Sequence, residues 1–262
     1  MPSFKLLSAC VFSVGVSLLT GPAQAFDMER DTWLLPSDKA VDTRAKYNPL
    51  EFSRVKATGN DLEPEFAGDE QLALIEAAEQ GDRARVETLL QVGFNPNGIA
   101  GQWGMSALNH AVQRGDVEIV RVLLDAGADP DLKAAGHQPL VLASLHGHAR
   151  IAELLLQAGA NPDLKSSDGN TPLIAAASMN RIPVIRVLMR AHPDYALFNL
   201  EGRTALSLAA FENFEEAVRV MLEAGVDVNV QDKNKGTALD ATSDSDNKRI
   251  QKLLVDFGAT TL

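Results

Sequence analysis

The chain has 262 residues, with 24 lysines and arginines against 35 aspartates and glutamates, and a formal net charge of −11. A chain of this sign is repelled by phosphate, so nucleic acid and anionic membrane surfaces are excluded as partners. Cys10 is the only cysteine. An intrachain disulfide is therefore excluded as well.

Met1 to Ala25 reads as a targeting segment. Lys5 is its only charge, Leu6 to Leu19 is apolar, and Ala23-Gln24-Ala25 offers the small residues that a signal peptidase needs. A secretory signal cleaved after Ala25 is expected. Its rival is an uncleaved membrane anchor, for which the apolar run is short. Leu7-Ser8-Ala9-Cys10 has the composition of a lipoprotein cleavage box, but it precedes the apolar run instead of following it. Cleavage would leave a mature chain without cysteine, and no Asn-X-Ser/Thr sequon occurs. Both facts point to a bacterial periplasm. No later segment is long and apolar enough to span a membrane.

Phe26 to Ala67 is polar, with apolar anchors at Trp33, Leu34, Leu35, Tyr47, Leu50 and Phe52. Three readings stand: an arm that packs those anchors on the first repeat, a disordered leader, or an arm that binds a partner.

From Asp69 onward one phrase recurs. Its clearest copy runs Ser166-Ser167-Asp168-Gly169-Asn170-Thr171-Pro172-Leu173, then Ile174 to Ala177. Gly169 permits the positive φ of a turn tip. Thr171 is a helix N-cap, and Pro172 is pre-set for the first helical position. A second helix follows, with Val184, Val187 and Leu188 on one side. The leucine of the phrase falls at Leu108, Leu140, Leu173, Leu206 and Leu239, at intervals of 32, 33, 33 and 33. A glycine closes the second helix at Gly93, Gly127, Gly159, Gly225 and Gly258, with His192 in the remaining slot. Neither short helix can bury its apolar face alone, so neighbouring units must stack.

A period of 33 with a turn, two helices and a Gly-Ala-Asp/Asn ending resembles the ankyrin repeat. The best matches are Gly127-Ala128-Asp129-Pro130-Asp131 and Gly159-Ala160-Asn161-Pro162-Asp163. The resemblance implies an all-α solenoid of about six helix-turn-helix repeats with β-turn tips. The repeats are placed at residues 69–98, 101–132, 133–164, 166–198, 199–230 and 231–260, within a domain spanning 68–262. The first lacks the Thr-Pro-Leu turn and carries Asp69, Glu70, Glu76 and Glu79 on its outer side, as a capping repeat does. The sixth opens with a polar helix, Leu239-Asp240-Ala241-Thr242-Ser243-Asp244, and reads as the other cap. Pro183 is expected in the first turn of a second helix. Ala191-His192-Pro193-Asp194 replaces Gly-Ala-Asp and is expected to follow a different path. Lys235 occupies a glycine slot, with Gly236 one residue late.

No catalytic pattern stands out. There is no Gly-X-Ser-X-Gly elbow, phosphate loop or His-Glu-X-X-His helix. His146-Gly147-His148, with His110, falls short of a zinc ligand set. The acidic turns at Asp129-Pro130-Asp131 and Asp163 read as side-chain capping of the turns in preference to calcium sites. No enzyme activity, cofactor, metal or small-molecule substrate is expected.

What remains is surface recognition. The resemblance implies partner contacts at the turn tips and at the exposed ends of the inner helices. In this chain those positions include Gln102, Trp103, Met105, Arg114, His137, Leu145, His146, Met179, Leu200, Arg203 and Phe211. Six of them are large and apolar, and exposed apolar surface marks interaction sites. Trp103 and Phe211 are the expected anchors for an unidentified protein partner. Some exported bacterial ankyrin-like proteins of this kind are linked to catalase and peroxide resistance. Others are immunity proteins that neutralise a delivered toxin enzyme such as a phospholipase. The resemblance implies both and selects neither.

Overall fold

The helices come in pairs, and the sequence gives the inner member of each pair hard ends. The computed structural model describes residues 67–101, 104–242 and 247–260. The chain divides into two units, residues 1–61 and 62–262, and every described residue lies in the second. The expected signal, and the arm up to residue 66, fall outside the described residues. The order is α1 (Ala67–Gln80), α2 (Arg83–Gln91), β1 (Ile99–Ala100), β2 (Met105–Ser106), α3 (Ala107–Arg114) and α4 (Val117–Asp125). Then come α5 (Pro139–His146), α6 (Ala149–Gln157), α7 (Pro172–Ser178), α8 (Ile182–Met189), α9 (Ala205–Phe211) and α10 (Glu215–Glu223). A 3₁₀ turn, Asp240–Thr242, and α11 (Lys248–Asp256) complete the series.

Caps set where the inner helices begin. Ser106 Oγ accepts from Asn109 N at 3.1 Å, and Thr171 Oγ1 from Ile174 N at 3.3 Å, as expected for that residue. Thr204 and Ser207 satisfy each other in a capping box. The ends are equally local. Gly115 and Gly147 take φ of 79° and 84°, and Asn180 and Asn213 fill the same slot at 52° and 63°. Asparagine is among the few residues with a side chain that enter this region readily.

Stacking buries the repeated apolar positions in one continuous core. Leu108, Leu140, Leu173 and Leu206 lie along the inner row, and Ile119, Ile151, Val184 and Ala217 along the outer row. Inner helices pack on inner helices and outer on outer from one repeat to the next. Pro183 sits in the first turn of α8, where its missing N–H has no helical acceptor.

Three expectations need correction. Where a polar first helix was expected in the sixth repeat, the described residues up to Thr242 form a 3₁₀ turn, Asp240–Thr242. Asp240 Oδ2 accepts from Thr237 N at 2.7 Å and Thr237 Oγ1 accepts from Asp240 N at 3.4 Å, the reciprocal pattern of a capping box, so the start of the turn is capped as in the fifth repeat. The tip of the second repeat is not a bare turn but a short hairpin, with Ala100 opposite Met105. His192 does not send the chain along a different path: it adopts φ of 49°, the left-handed region used by Gly159 at 93° and Gly225 at 92°. What changes is bonding. Ala128, Ala160 and Val226 each donate to a carbonyl of the helix just ended, whereas Pro193 at the same position has no N–H. Lys235, by contrast, takes the glycine slot as expected, with φ of 66°.

Two series of bonds run from repeat to repeat. After α2, α4, α6 and α10 an Asp or Asn side chain accepts an N–H from the following repeat. Asn97 accepts from Asp129 at 2.7 Å, Asp131 from Asn161 at 2.9 Å, Asp163 from Asp194 at 2.8 Å and Asn229 from Thr260 at 3.0 Å. The same loops hold themselves, since Asp129, Asn161, Asp194 and Asp227 each cap the N–H two residues on. The acidic turns thus carry the side-chain capping expected of them. At the tips, Ala135 N donates to Gly104 O at 2.9 Å, Ser167 N to Gly136 O at 2.8 Å and Lys233 N to Gly202 O at 2.9 Å.

Candidate protein-binding surface

The tips and inner-helix ends do not present a uniform face. Met105 was expected to be exposed but is only 9% accessible. Its place opposite Ala100 in the hairpin turns it into the core, which removes it from the contact set. Gln102 and Trp103 fall outside the described residues.

In the second and third repeats the expected residues mostly serve the array. Arg114, exposed at the end of α3, donates from Nη1 to Glu79 O at 3.0 Å and so closes the last turn of α1. His137 is half-buried; its carbonyl accepts from Asn109 Nδ2 at 3.1 Å, and its Nδ1 is buried without a partner. Leu145 is half-buried, and its carbonyl accepts from Arg181 Nε at 3.0 Å. His146 is exposed, with its ring stacked on His148 at 5.8 Å between centroids. Partial burial, followed by His148, Arg181 and His137, pushes its pKa below the ordinary 6.5. Among the described residues, no three His, Cys, Asp or Glu side chains are placed to share a metal ion.

The fourth and fifth repeats differ. Met179 at the end of α7 is 45% exposed, Phe211 at the end of α9 is 47% exposed, and Leu200 at the fifth tip is 72% exposed. Arg203 lies with its guanidinium 3.8 Å from the centre of the Phe211 ring, a cation–π contact. Arg203 and Phe211 also line a groove of about 480 Å³ whose other walls include Glu201, Asp232 and Asp240. Glu201 lies 3.9 Å from the Arg203 guanidinium, and Asp232 and Asp240 add two carboxylates to the same groove. Phe198, not anticipated from sequence, is exposed beside Leu200 and lies 5.0 Å below the Lys165 ammonium. Its position two residues before an exposed tip leucine was the available signal. Asp232 and Asp240 gave none, because only the stacking of repeats brings them to Phe211.

A family model described as ankyrin repeats (3 copies) matches residues 74–166 and 140–232. The chain belongs to the ankyrin-repeat family. Two solved ankyrin-repeat structures have closely similar folds. EF0377, an ankyrin repeat protein, is 30% identical with a TM-score of 0.65, over 71% of this chain and 97% of its own. An ankyrin repeat domain, ABAYE2397, from Acinetobacter baumannii AYE is 27% identical with a TM-score of 0.66, over 71% of this chain and 98% of its own. In sequence, this ankyrin-repeat chain is 40% identical over 78 residues to the 2-5A-dependent ribonuclease of Mus musculus. It is 44% identical over 61 residues to an ankyrin repeat-containing protein of Treponema pallidum (strain Nichols). These matches span 29% and 23% of this chain, and only 11% and 20% of the two relatives. The ankyrin array is an all-α solenoid and a protein–protein interaction module.

Proposed function

We propose that the chain is a non-enzymatic scaffold of the bacterial periplasm that binds a protein partner through the face formed by repeats 4 and 5. One observation carries the surface assignment. Met179, Leu200 and Phe211 are exposed along the tips and inner-helix ends of repeats 4 and 5, whereas among the described residues at the matching positions of repeats 2 and 3 Met105 is buried, Leu145 is half-buried, and Arg114 and His146 are polar. Large apolar side chains in water contribute nothing to a lone array, whereas burial in an interface makes them binding anchors. The leader at residues 1–25 supports export. The same exported ankyrin-like resemblance supports a role in catalase function and resistance to oxidative stress.

The test is an affinity capture of residues 26–262 from periplasmic extract, repeated with Leu200→Ala and Phe211→Ala. Each substitution should weaken the captured complex by about 2 kcal/mol or more, roughly thirtyfold, with melting nearly unchanged. Full affinity in both variants would remove this surface from the reading.

A second reading is an immunity protein that neutralises a delivered toxin enzyme such as a phospholipase. The net charge of −11 favours it, as do the carboxylates of Glu201, Asp232 and Asp240 beside Phe211, because both would steer a basic enzyme to this face. Deleting the gene and challenging separately with peroxide and with a toxin-bearing rival strain separates the two. Sensitivity to peroxide alone supports the first role, and sensitivity to the rival alone supports the second.

A further inference from the structure

The two series of repeat-to-repeat bonds fail at the same place. After α8 the acceptor position held by Asn97, Asp131, Asp163 and Asn229 elsewhere is occupied by Ala196, which has no side-chain oxygen. Among the described residues, no side chain of the fourth repeat takes the N–H of Asp227, as Asp163 takes that of Asp194. At the tips, the bond that joins Gly104 to Ala135, Gly136 to Ser167 and Gly202 to Lys233 has no counterpart between Gly169 and Leu200. Pro193 has also deleted the bond that closes the outer helix in the neighbouring repeats. On the outer side of this junction, a groove of about 510 Å³ opens between α8 and α10, walled by Arg186, Met189 and His192 against Val220, Glu223 and Ala224.

Bonds from side chains remain. Lys165 Nζ donates to Phe198 O at 2.7 Å, Asn199 Nδ2 donates to Asn170 Oδ1 at 3.2 Å, and Arg186 pairs with Glu216 at 3.0 Å. The apolar contacts of α7 with α9 and of α8 with α10 continue beneath them. Long side chains tether without fixing an angle, and apolar packing is non-directional. Directional backbone donors are what hold one repeat at a set rotation to the next.

We infer that the junction between repeats 4 and 5 is a built-in seam, about which repeats 5 and 6 rotate relative to repeats 1 to 4. Met179 stands on one side of it and Leu200 and Phe211 on the other, so seam rotation changes the spacing of these exposed apolar side chains. The face can then adjust to an occupant by a small change of angle, as hinged domains do. The seam exists whether or not that face takes a protein partner.

Distances between spin labels test the seam in the full chain, with Cys10→Ser removing the native thiol. One cysteine pair, at Asp125 and Arg190, spans the junctions 2–3 and 3–4. The other, at Gln157 and Glu223, spans 3–4 and 4–5, and all four positions are exposed. The expected result is a wider distance distribution for the second pair. Ala196→Asn then narrows it to the width of the first, because the new amide can accept from Asp227 N–H and donate to Gly225 O. Asn229 does both across the next junction, donating to Gly258 O at 3.3 Å and accepting from Thr260 N at 3.0 Å. Equal widths in the parent chain overturn the seam, as does a second-pair width that Ala196→Asn leaves unchanged.

Discussion

His110 is nearly buried on α3, and burial holds its pKa below 6.5 against the opposing pull of Glu79. His146 is shifted the same way, by burial first and then by His148, Arg181 and His137. The unfolded chain therefore takes up protons more readily than the folded one. The stability tied to these two groups is complete above pH 6.5 and is lost as pH falls from there towards their lower folded values. Melting temperature should drop between about pH 7.5 and about pH 5.5, and His110→Gln with His146→Gln should flatten that drop. A slope unchanged in the double variant would mean that the carboxylates carry all of it. Arg203 and Phe211 make the complementary point about reading single residues. Both could be placed at a tip and a helix end from the repeat alone, yet their stacking spans α9, about two helical turns, and only coordinates reveal it.

Four of the inner helices, α3, α5, α7 and α9, bury a leucine at the same position of the repeat. Leu173 is buried in the centre of the core, so Leu173→Ala should cost roughly 2–5 kcal/mol through the cavity it leaves. Leu239 is only half-buried and precedes a 3₁₀ turn instead of opening a helix, so Leu239→Ala should cost distinctly less. Urea denaturation of the two variants checks the order, and equal losses would contradict it. Element placement was largely legible in the sequence, because caps, left-handed slots and apolar spacing are local properties written in each repeat. Thr171, Pro183 and Lys235 all sit as those rules require. Met105 is buried where a short strand pairs with it, a contact that overrides the repeat pattern, while the 3₁₀ turn at Asp240–Thr242 is capped like a helix and the structure gives no reason for its shortness. The candidate surface was half legible: exposure at Met179, Leu200 and Phe211 followed the pattern, and the carboxylates facing Phe211 did not.

In the array as a whole, each repeat touches chiefly its neighbours, so local damage divides the molecule instead of weakening it evenly. With α7 compromised by Leu173→Ala, unfolding in urea should separate into two steps, followed by hydrogen exchange in α3 to α6 and in α9 to α11. A single coincident transition in both segments would show that the core transmits stability across the damaged repeat after all. The side-chain oxygens that cross from loop to loop carry a last consequence. Each sits two residues beyond its own repeat's donor and reaches the matching donor one unit further along. A unit that carries this oxygen, as all but the fourth of the first five do, is therefore a tile that fits another copy of itself, and such a tile spliced in or out at matching points leaves the joints beside it closed. A cut made at any other length would leave an acceptor facing the wrong atom, which explains mechanically why the array can lengthen or shorten only in whole steps.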